Sequence, residues 1–504
     1  MVFPISFRRA LWASAAALGA AAAADPTAST TGACDELASS LPDRVWTEPS
    51  VEYLSESNAY WSTALRGLKP ACIVLPRSVE EVSVAVKVLG SHPDVQFAVK
   101  SGGHTPNQRH STVLDGVLIS TKHLSGVTYR PDEQLAYVKP GGDWNDVIGS
   151  LEEHGVTIVG GRLGIVGVAG YLLQGGISFL SAQYGLAADN IVAWEMVAAN
   201  GTILNVKASE NPDLAVALRG SGSQLGIVTQ FTVKTHEIGQ VWGGLRTYGD
   251  DKADEIFAAL HGYVPGGVED TKSAIILTNT MTAGVTKSFI IYYFYDGPEP
   301  PTTGAFAKFL DIDSVIDVTS TRSYSDLLNA NGAAAELLVS RISFRTYTIP
   351  YLPDVPGMFS EISEKFSSLL ADHLSSRPTA LCSADFQPFP SVIGQHSQDS
   401  GGNAMGISGR DPHRIILELQ CAWDSETDDD IFQGASRDMV RWLEAKVADW
   451  TFDGEEPYLP LFMNDAAWDQ NVTGTYSRYA EFKQIQKAVD PTGFFPTRGG
   501  GFVY

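Results

Sequence analysis

The chain has 504 residues, 44% of them apolar and 10% aromatic, which suffices for the cores of two or three domains. Its formal net charge of −23 argues against a nucleic-acid binder, because an acidic surface repels phosphate backbones. Beyond the N-terminus no stretch is continuously apolar over the length of a membrane span.

In chain order, residues 7–26 read FRRALWASAAALGAAAAADP: two arginines, a weakly apolar alanine-rich run, then small residues before Asp25. That is the pattern of a secretory signal over residues 1–24, so a soluble protein, secreted or held in a vesicle lumen, is expected. Four cysteines suit an oxidising compartment. Cys34 and Cys72 flank the start of the globular part, where a bridge would tie down the N-terminal arm. Cys382 and Cys421 lie equidistant from Gly401-Gly402, as partners in one long hairpin would, and geometry decides whether they bond. Glycosylation sequons stand at Asn200 and Asn471, although Asn200-Gly201 also reads as a tight hairpin turn.

From Ala71 strands and helices alternate. ACIVLP reads as a buried strand; Ser78 and Glu81 form a capping box, and Val82, Ala85, Val86 and Leu89 give the next helix its apolar stripe. VQFAVK and GVLIST are further strands, VTYRPDEQLAYV and IVAWEMVAANGTILNV hairpins, and DWNDVIGSLEEHG and NPDLAVALRG helices. LGIVTQFTVKTH closes this first region near residue 235. Between about 236 and 450, long strands such as KSFIIYYFY, RISFRTYTI, TALCSADFQPF and RIILELQCAW alternate with amphipathic helices such as EISEKFSSLLADHL. An α+β arrangement follows, with an antiparallel sheet covered by helices on one face. The acidic run 424–430 reads as a solvated helix start.

Glycines cluster at Gly102-Gly103, Gly141-Gly142, Gly160-Gly161 and along Gly167, Gly170, Gly175 and Gly176. Without a Cβ the backbone can approach a ligand closely and turn several N–H groups toward one anion. Four such clusters in one region point to a large, extended ligand with a phosphate part. Neither a Walker A loop nor a G-x-G-x-x-G between strand and helix is present, so a Rossmann domain is not the explanation.

The ordered set IVLPRSVEEVSVAV, VKSGGHTPN, VKPGGDWNDV, GVAGYLLQGGIS, YGLAADNI, NPDLAVALRGSGSQLGIVT and VDPTGFF resembles the flavin-linked oxidases of the berberine bridge enzyme-like type, within the vanillyl-alcohol oxidase superfamily. The resemblance implies a two-part, PCMH-type FAD-binding domain from residues 40–235 and the returning segment 451–504, with a substrate domain, 236–450, inserted between them. It also implies FAD as cofactor, a small organic substrate, O2 as partner and a monomer. The cofactor would lie against Lys100, Ser101, Gly102, Gly103, His104, Thr105, Leu163, Val166, Gly167, Gly170, Gly175, Ile227, Val228 and Asn464. Taken alone, His104 is a ligand, a base, an attachment point or a plain loop histidine; the resemblance implies a covalent link to the flavin 8α-methyl. Such a link withdraws electron density from the isoalloxazine and makes it a stronger oxidant.

Two positions refine this. Many relatives carry a second tether, a cysteine in a G-x-C-x-x-V-G segment; here the segment is GRLGIVG, with Leu163 at the sulfur's place, so a single covalent link is expected. That makes a carbohydrate oxidase a less favoured alternative. A valine at the place of Val166 goes in this family with reoxidation by O2 and release of H2O2.

The flavin accepts hydride at N5, so the protein must orient the substrate and move a proton. Where relatives have a Y-x-N-Y stretch, this chain has Phe462-Met463-Asn464-Asp465. Asn464 aligns, and Asp465 replaces the tyrosine that often acts as base. Asp465 serves as base if burial raises its pKa, or it is turned away and structural. Tyr458, Tyr292, Tyr293 and Tyr347 are the other candidates, or are pocket and core aromatics. His110 and His123 are read as structural, and no spacing suggests a metal site. The leading expectation is an oxidase of a specialised-metabolite type of substrate; the alternatives are a carbohydrate oxidase and a flavoprotein cyclase with no net redox change.

Overall fold

The computed structural model describes residues 26–282, 286–336, 339–450 and 456–504; the expected signal segment, 1–24, lies outside the described residues. Strands Cys72–Val74 and Phe97–Lys100 flank Val117–Ser120 in parallel. The helix Val79–Ser91 carries the chain between the first two. It starts where the Ser78 hydroxyl accepts the Glu81 N–H at 3.3 Å, and it buries the stripe Val82, Ala85, Val86 and Leu89. The reciprocal half of the capping box is not made. The Glu81 carboxylate instead accepts the Arg77 N–H at 2.7 Å and pairs with Arg44.

A second sheet has five antiparallel strands, with Ile227–Lys234 between Leu135–Val138 and Ile191–Val197. Its outer hairpin turns at Asn200-Gly201, where Gly201 has φ +78° and the Asn200 side chain accepts the Thr202 N–H at 3.0 Å. Both sequon asparagines, Asn200 and Asn471, are exposed.

The third sheet, between residues 241 and 423, has eight strands, seven on one path and the eighth, Ser320–Arg322, beside Val241–Gly249, all paired antiparallel. Side chains alternate across it. Leu277, Ile291, Ala384, Phe386, Leu417 and Leu419 face a core formed with the helices Ala253–Gly266, Met358–Ser375 and Asp429–Asp449. In Met358–Ser375 the buried Phe359, Ile362, Phe366, Leu370 and Leu374 recur at helical spacing. Each such buried side chain contributes about 1.5–3 kcal/mol, so a one-residue slip, which would swap the two faces, is strongly disfavoured. The opposite face of the sheet mixes polar side chains with apolar ones and borders a cavity.

Two contacts fasten the ends of the chain onto the first sheet. Phe494 and Phe495 lie against Phe97, with ring centroids 4.8 and 6.2 Å away. The Arg498 guanidinium donates to the carbonyls of Leu89, His92 and Val95, each at 2.9 Å. At the other end, helix Pro26–Ser40 packs Ala33 and Leu37 into the same core, so the packed unit begins ahead of residue 40. Cys34 and Cys72 are bridged, and so are Cys382 and Cys421, register partners in adjacent strands.

Peptide mapping under non-reducing conditions is expected to recover both linkages. Replacing Cys34 and Cys72 by serine should cost about 3–4 kcal/mol in denaturant unfolding, the value for a loop of this length, 38 residues.

Candidate active site

A cavity of about 480 Å³ lies between that face of the large sheet and the glycine-rich loops of the first region. Two of those loops cross at its edge. A Cβ on Gly102 would stand 2.6 Å from the Gly167 Cα, and one on Gly167 would stand 2.3 Å from the Gly102 nitrogen. Only glycine lets these backbones approach so closely. Gly103, at φ +69°, also leaves no room, since its Cβ would meet the Ala59 carbonyl oxygen at 2.7 Å. Ser101 locks the crossing: its hydroxyl donates to the Pro140 carbonyl at 2.6 Å and accepts the Ala169 N–H at 3.3 Å.

His104 follows directly. Its ring stacks on Trp61, 4.2 Å between centroids and 8° between planes, and neither ring nitrogen is hydrogen-bonded to a described residue. Enclosure disfavours the imidazolium and lowers the pKa to about 4, so at neutral pH the imidazole carries a free lone pair.

Around His104 the cavity gathers Ser101, Gly102, Gly103 and Thr105 from one loop, and Leu163, Val166, Gly167 and Gly170 from another. Ile227 and Val228 come from the five-stranded sheet, and Asn464 and Asp465 from the C-terminal segment. Asn464 is held by backbone on both sides: its Oδ1 accepts the Gly176 N–H at 3.1 Å and its Nδ2 donates to the Tyr171 carbonyl at 3.3 Å.

Other expected residues sit elsewhere. Lys100 does not face the cavity. Val99 and Ser101 do, and strand alternation turns Lys100 to the other side, where its ammonium, 2% exposed, pairs with Glu56 and packs over Tyr60. Gly175 lies just behind the wall, at φ +114°, against Phe462 and Asn464. Tyr458 is a structural pin: its hydroxyl donates to the Met405 carbonyl and accepts the Ser477 N–H at 2.9 Å, and its own carbonyl accepts from Arg414. Of the middle tyrosines, Tyr292 lines the cavity, whereas Tyr293 points to the helix side and bonds Tyr248, and Tyr347 packs against that same core. Gly160 and Gly161 make room for the Trp144 indole, which a Cβ on either would strike at 2.5 and 2.4 Å. His123 is exposed. His110, read from sequence as structural, instead lines the cavity edge-on to Phe502, 4.7 Å between centroids.

The sequence reading missed a cluster on the sheet. Asp385 and Glu418 enter the cavity from adjacent strands, beside Asp465. The Gln387 amide donates to Asp465 Oδ2 at 2.8 Å and accepts from Arg162. Burial raises the pKa of all three carboxyls; the charge of Asp465 pushes Asp385 and Glu418 further up, and Arg162 opposes the rise in each. A signal for them was present: polar residues at every second position, Ser383, Asp385 and Gln387, then Glu418 and Gln420, in strands whose intervening positions are apolar.

The cavity suits a bulky group that brings its own hydrogen-bonding atoms. His110 Nδ1 and Ser111 Oγ are buried in its wall without a partner among the described residues, and a Cβ on Gly170 would meet only open space. Among the described residues no group of three or more His, Cys, Asp or Glu is placed to hold a metal, and no helix is long and apolar enough to cross a membrane.

Residues 70–207 match the FAD binding domain family. An uncharacterized FAD-linked oxidoreductase of Arthroderma benhamiae is 34% identical over 469 residues, covering 90% of this chain and 91% of the relative. The FAD-dependent monooxygenase drtC of Aspergillus calidoustus is 29% identical over 473 residues, covering 92% and 88%. Among solved structures, berberine bridge enzyme from Eschscholzia californica superposes with a TM-score of 0.70 at 18% identity, over 95% of this chain and 99% of that one. The glycine crossing, the cavity beside it and a match along nine-tenths of the chain together place this protein among the FAD-linked oxidoreductases, built on the fold of berberine bridge enzyme.

Proposed function

We propose that the protein is an oxidase of a small organic molecule, made for the secretory pathway, that takes two electrons and two protons from its substrate and delivers them to O2 as H2O2. The observation that carries this reading is the meeting, in one cavity, of the neutral His104 with three carboxylates. Residues 40–235 with 451–504 form the cofactor side and 236–450 the substrate side. Two disulfides are compatible with secretion.

FAD, when bound, supplies a two-electron acceptor that takes hydride at N5. The chain supplies the rest. His104 offers an unprotonated nitrogen for a single covalent link, and Leu163 lines the cavity where a second tether would need sulfur. Asn464 orients what lies against it through the backbone of Tyr171 and Gly176. Asp465, Asp385 and Glu418 accept the substrate proton, and burial makes each more basic than an exposed carboxylate. Val166 borders the cavity and leaves room for O2. The name of the A. calidoustus relative supports a second reading, oxygen insertion.

Anaerobic substrate should bleach the flavin absorbance near ~450 nm, and in air should give peroxide and a product lighter by two hydrogens. A product heavier by one oxygen, formed only when an external two-electron donor reduces the flavin, favours the second reading, and turnover without bleaching by substrate sinks the first. Acid-denatured wild-type protein should stay yellow and yield a flavin-bearing peptide containing His104. The His104→Ala protein should release its flavin on denaturation and be reduced more slowly; flavin retained in that variant would place the tether elsewhere.

The pH profile has a defined sign. A base works ionised, and these carboxyls have raised pKa values, so kcat/KM should climb with pH through a range above that of ordinary carboxylates. Asp465→Asn removes one charge that raises Asp385 and Glu418, so the climb should move to lower pH. A climb that stays in place in this variant would show that the cluster does not set the profile.

A further inference from the structure

Asp385 and Glu418 are register partners in adjacent antiparallel strands, so their side chains leave the same face of the sheet side by side. Like charges so placed repel. Asp385 is 7% exposed and its Oδ1 has no hydrogen-bond partner among the described residues. Ser383 donates to its Oδ2 at 3.1 Å, and Thr278, its register partner in the next strand, also favours its charged form, which leaves Oδ1 as the open acceptor. Glu418, half-buried at the cavity wall, makes no hydrogen bond to a described residue. Arg162, whose charge reaches both, is turned onto Gln387. Two carboxylates at the cavity wall, one buried and one half-buried, thus have acceptor capacity that the described residues leave unfilled.

Around them the walls are apolar or aromatic: Trp61, Ile276, Ile290, Tyr292, Phe344 and Leu381. A metal is not the missing partner, since the described residues hold no suitable ligand group. A neutral polyol would donate hydrogen bonds but leave both charges uncompensated next to apolar walls.

Resting on the FAD-dependent oxidation proposed above, we infer that the substrate is an amine bound as its ammonium ion, with the cationic nitrogen between Asp385 and Glu418 and an apolar or aromatic body against Trp61, Tyr292 and Phe344. The ammonium N–H groups fill the open acceptor sites, and the positive charge removes the repulsion that the free protein relieves by keeping a proton on the pair. Binding therefore expels that proton. Affinity rises with pH while the pair ionises, because a neutral carboxyl does not attract a cation. Of the other groups that face the pair, Asp465 strengthens this dependence and Arg162 weakens it, while Tyr171, Tyr292 and His104 stay neutral there.

The test uses the holoenzyme and matched skeletons: benzylamine, benzyl alcohol and benzoate, with naphthylmethylamine, naphthylmethanol and naphthoate. Calorimetry in buffers of different ionisation enthalpy reads affinity and proton release together. The amine should bind about tenfold tighter than the alcohol of the same skeleton, the difference between a charged and a neutral hydrogen bond. It should release a proton and tighten as pH rises, and the carboxylate should not bind. In Asp385→Asn and Glu418→Gln the amine should fall to the level of the alcohol. Because either variant can fail to fold, the pH dependence of wild-type binding is the independent arm. An alcohol or carboxylate that matches the amine, or no binding by either amine at millimolar concentration, overturns the inference. Covalent flavin and anaerobic bleaching are read on the same preparation. Their presence without amine preference sinks this inference alone, and their absence sinks the function beneath it.

Discussion

The molecule depends on one constraint: the alternation of side chains in the eight-stranded sheet. The strands Leu381–Phe389 and Arg414–Trp423 give their odd and even positions to opposite environments, a packed core under helices and a cavity that holds the carboxylates. The register cannot slip without driving Leu417 and Leu419 into the cavity and Glu418 into the core. The apolar face thus holds the carboxylates in an enclosure they would not occupy on their own account. Their raised basicity is a by-product of core packing on the other side of the same strands.

The glycine-rich loops rest on a different device. Gly102 and Gly167 touch backbone to backbone, and Ser101 ties the two loops together at that point. Below the loop, Lys100 is buried with Glu56, whose carboxylate also accepts from Ser120 and pairs with Lys122. Removing a single partner from such a buried pair leaves an uncompensated charge, so the base of the loop is held firmly even though Gly102 and Gly103 follow it. His104 is therefore presented on a rigid support, flat against Trp61.

The two sides are joined by long-range contacts of the C-terminal segment. Asn464 bonds the backbone at Gly176 and Tyr171, while its neighbour Asp465 bonds Gln387 of the large sheet. Adjacent residues thus reach one to the glycine-rich loops and the other to the carboxylate cluster. Asn107 adds a second link, donating to the Ala466 carbonyl at 2.8 Å and accepting the Trp468 N–H at 3.1 Å.

Local order was legible from the chain. The Ser78 cap, the Asn200-Gly201 turn, the hairpins and the apolar stripes of Val79–Ser91 and Met358–Ser375 depend on residues close in sequence, and so did the ordered motifs that identified the family. His104, Asn464 and Asp465, which line the cavity, each sit within a short recognisable stretch. Tertiary structure decided the rest. Lys100 was misplaced because a strand turns neighbouring side chains to opposite faces, and Tyr458 because its partners, Met405, Arg414 and Ser477, are distant in sequence. Asp385 and Glu418 stand 33 positions apart in the chain, and neither belongs to a motif. They become one site only when two strands pair in register, a relation set by the packing of the whole sheet and not by any segment of it.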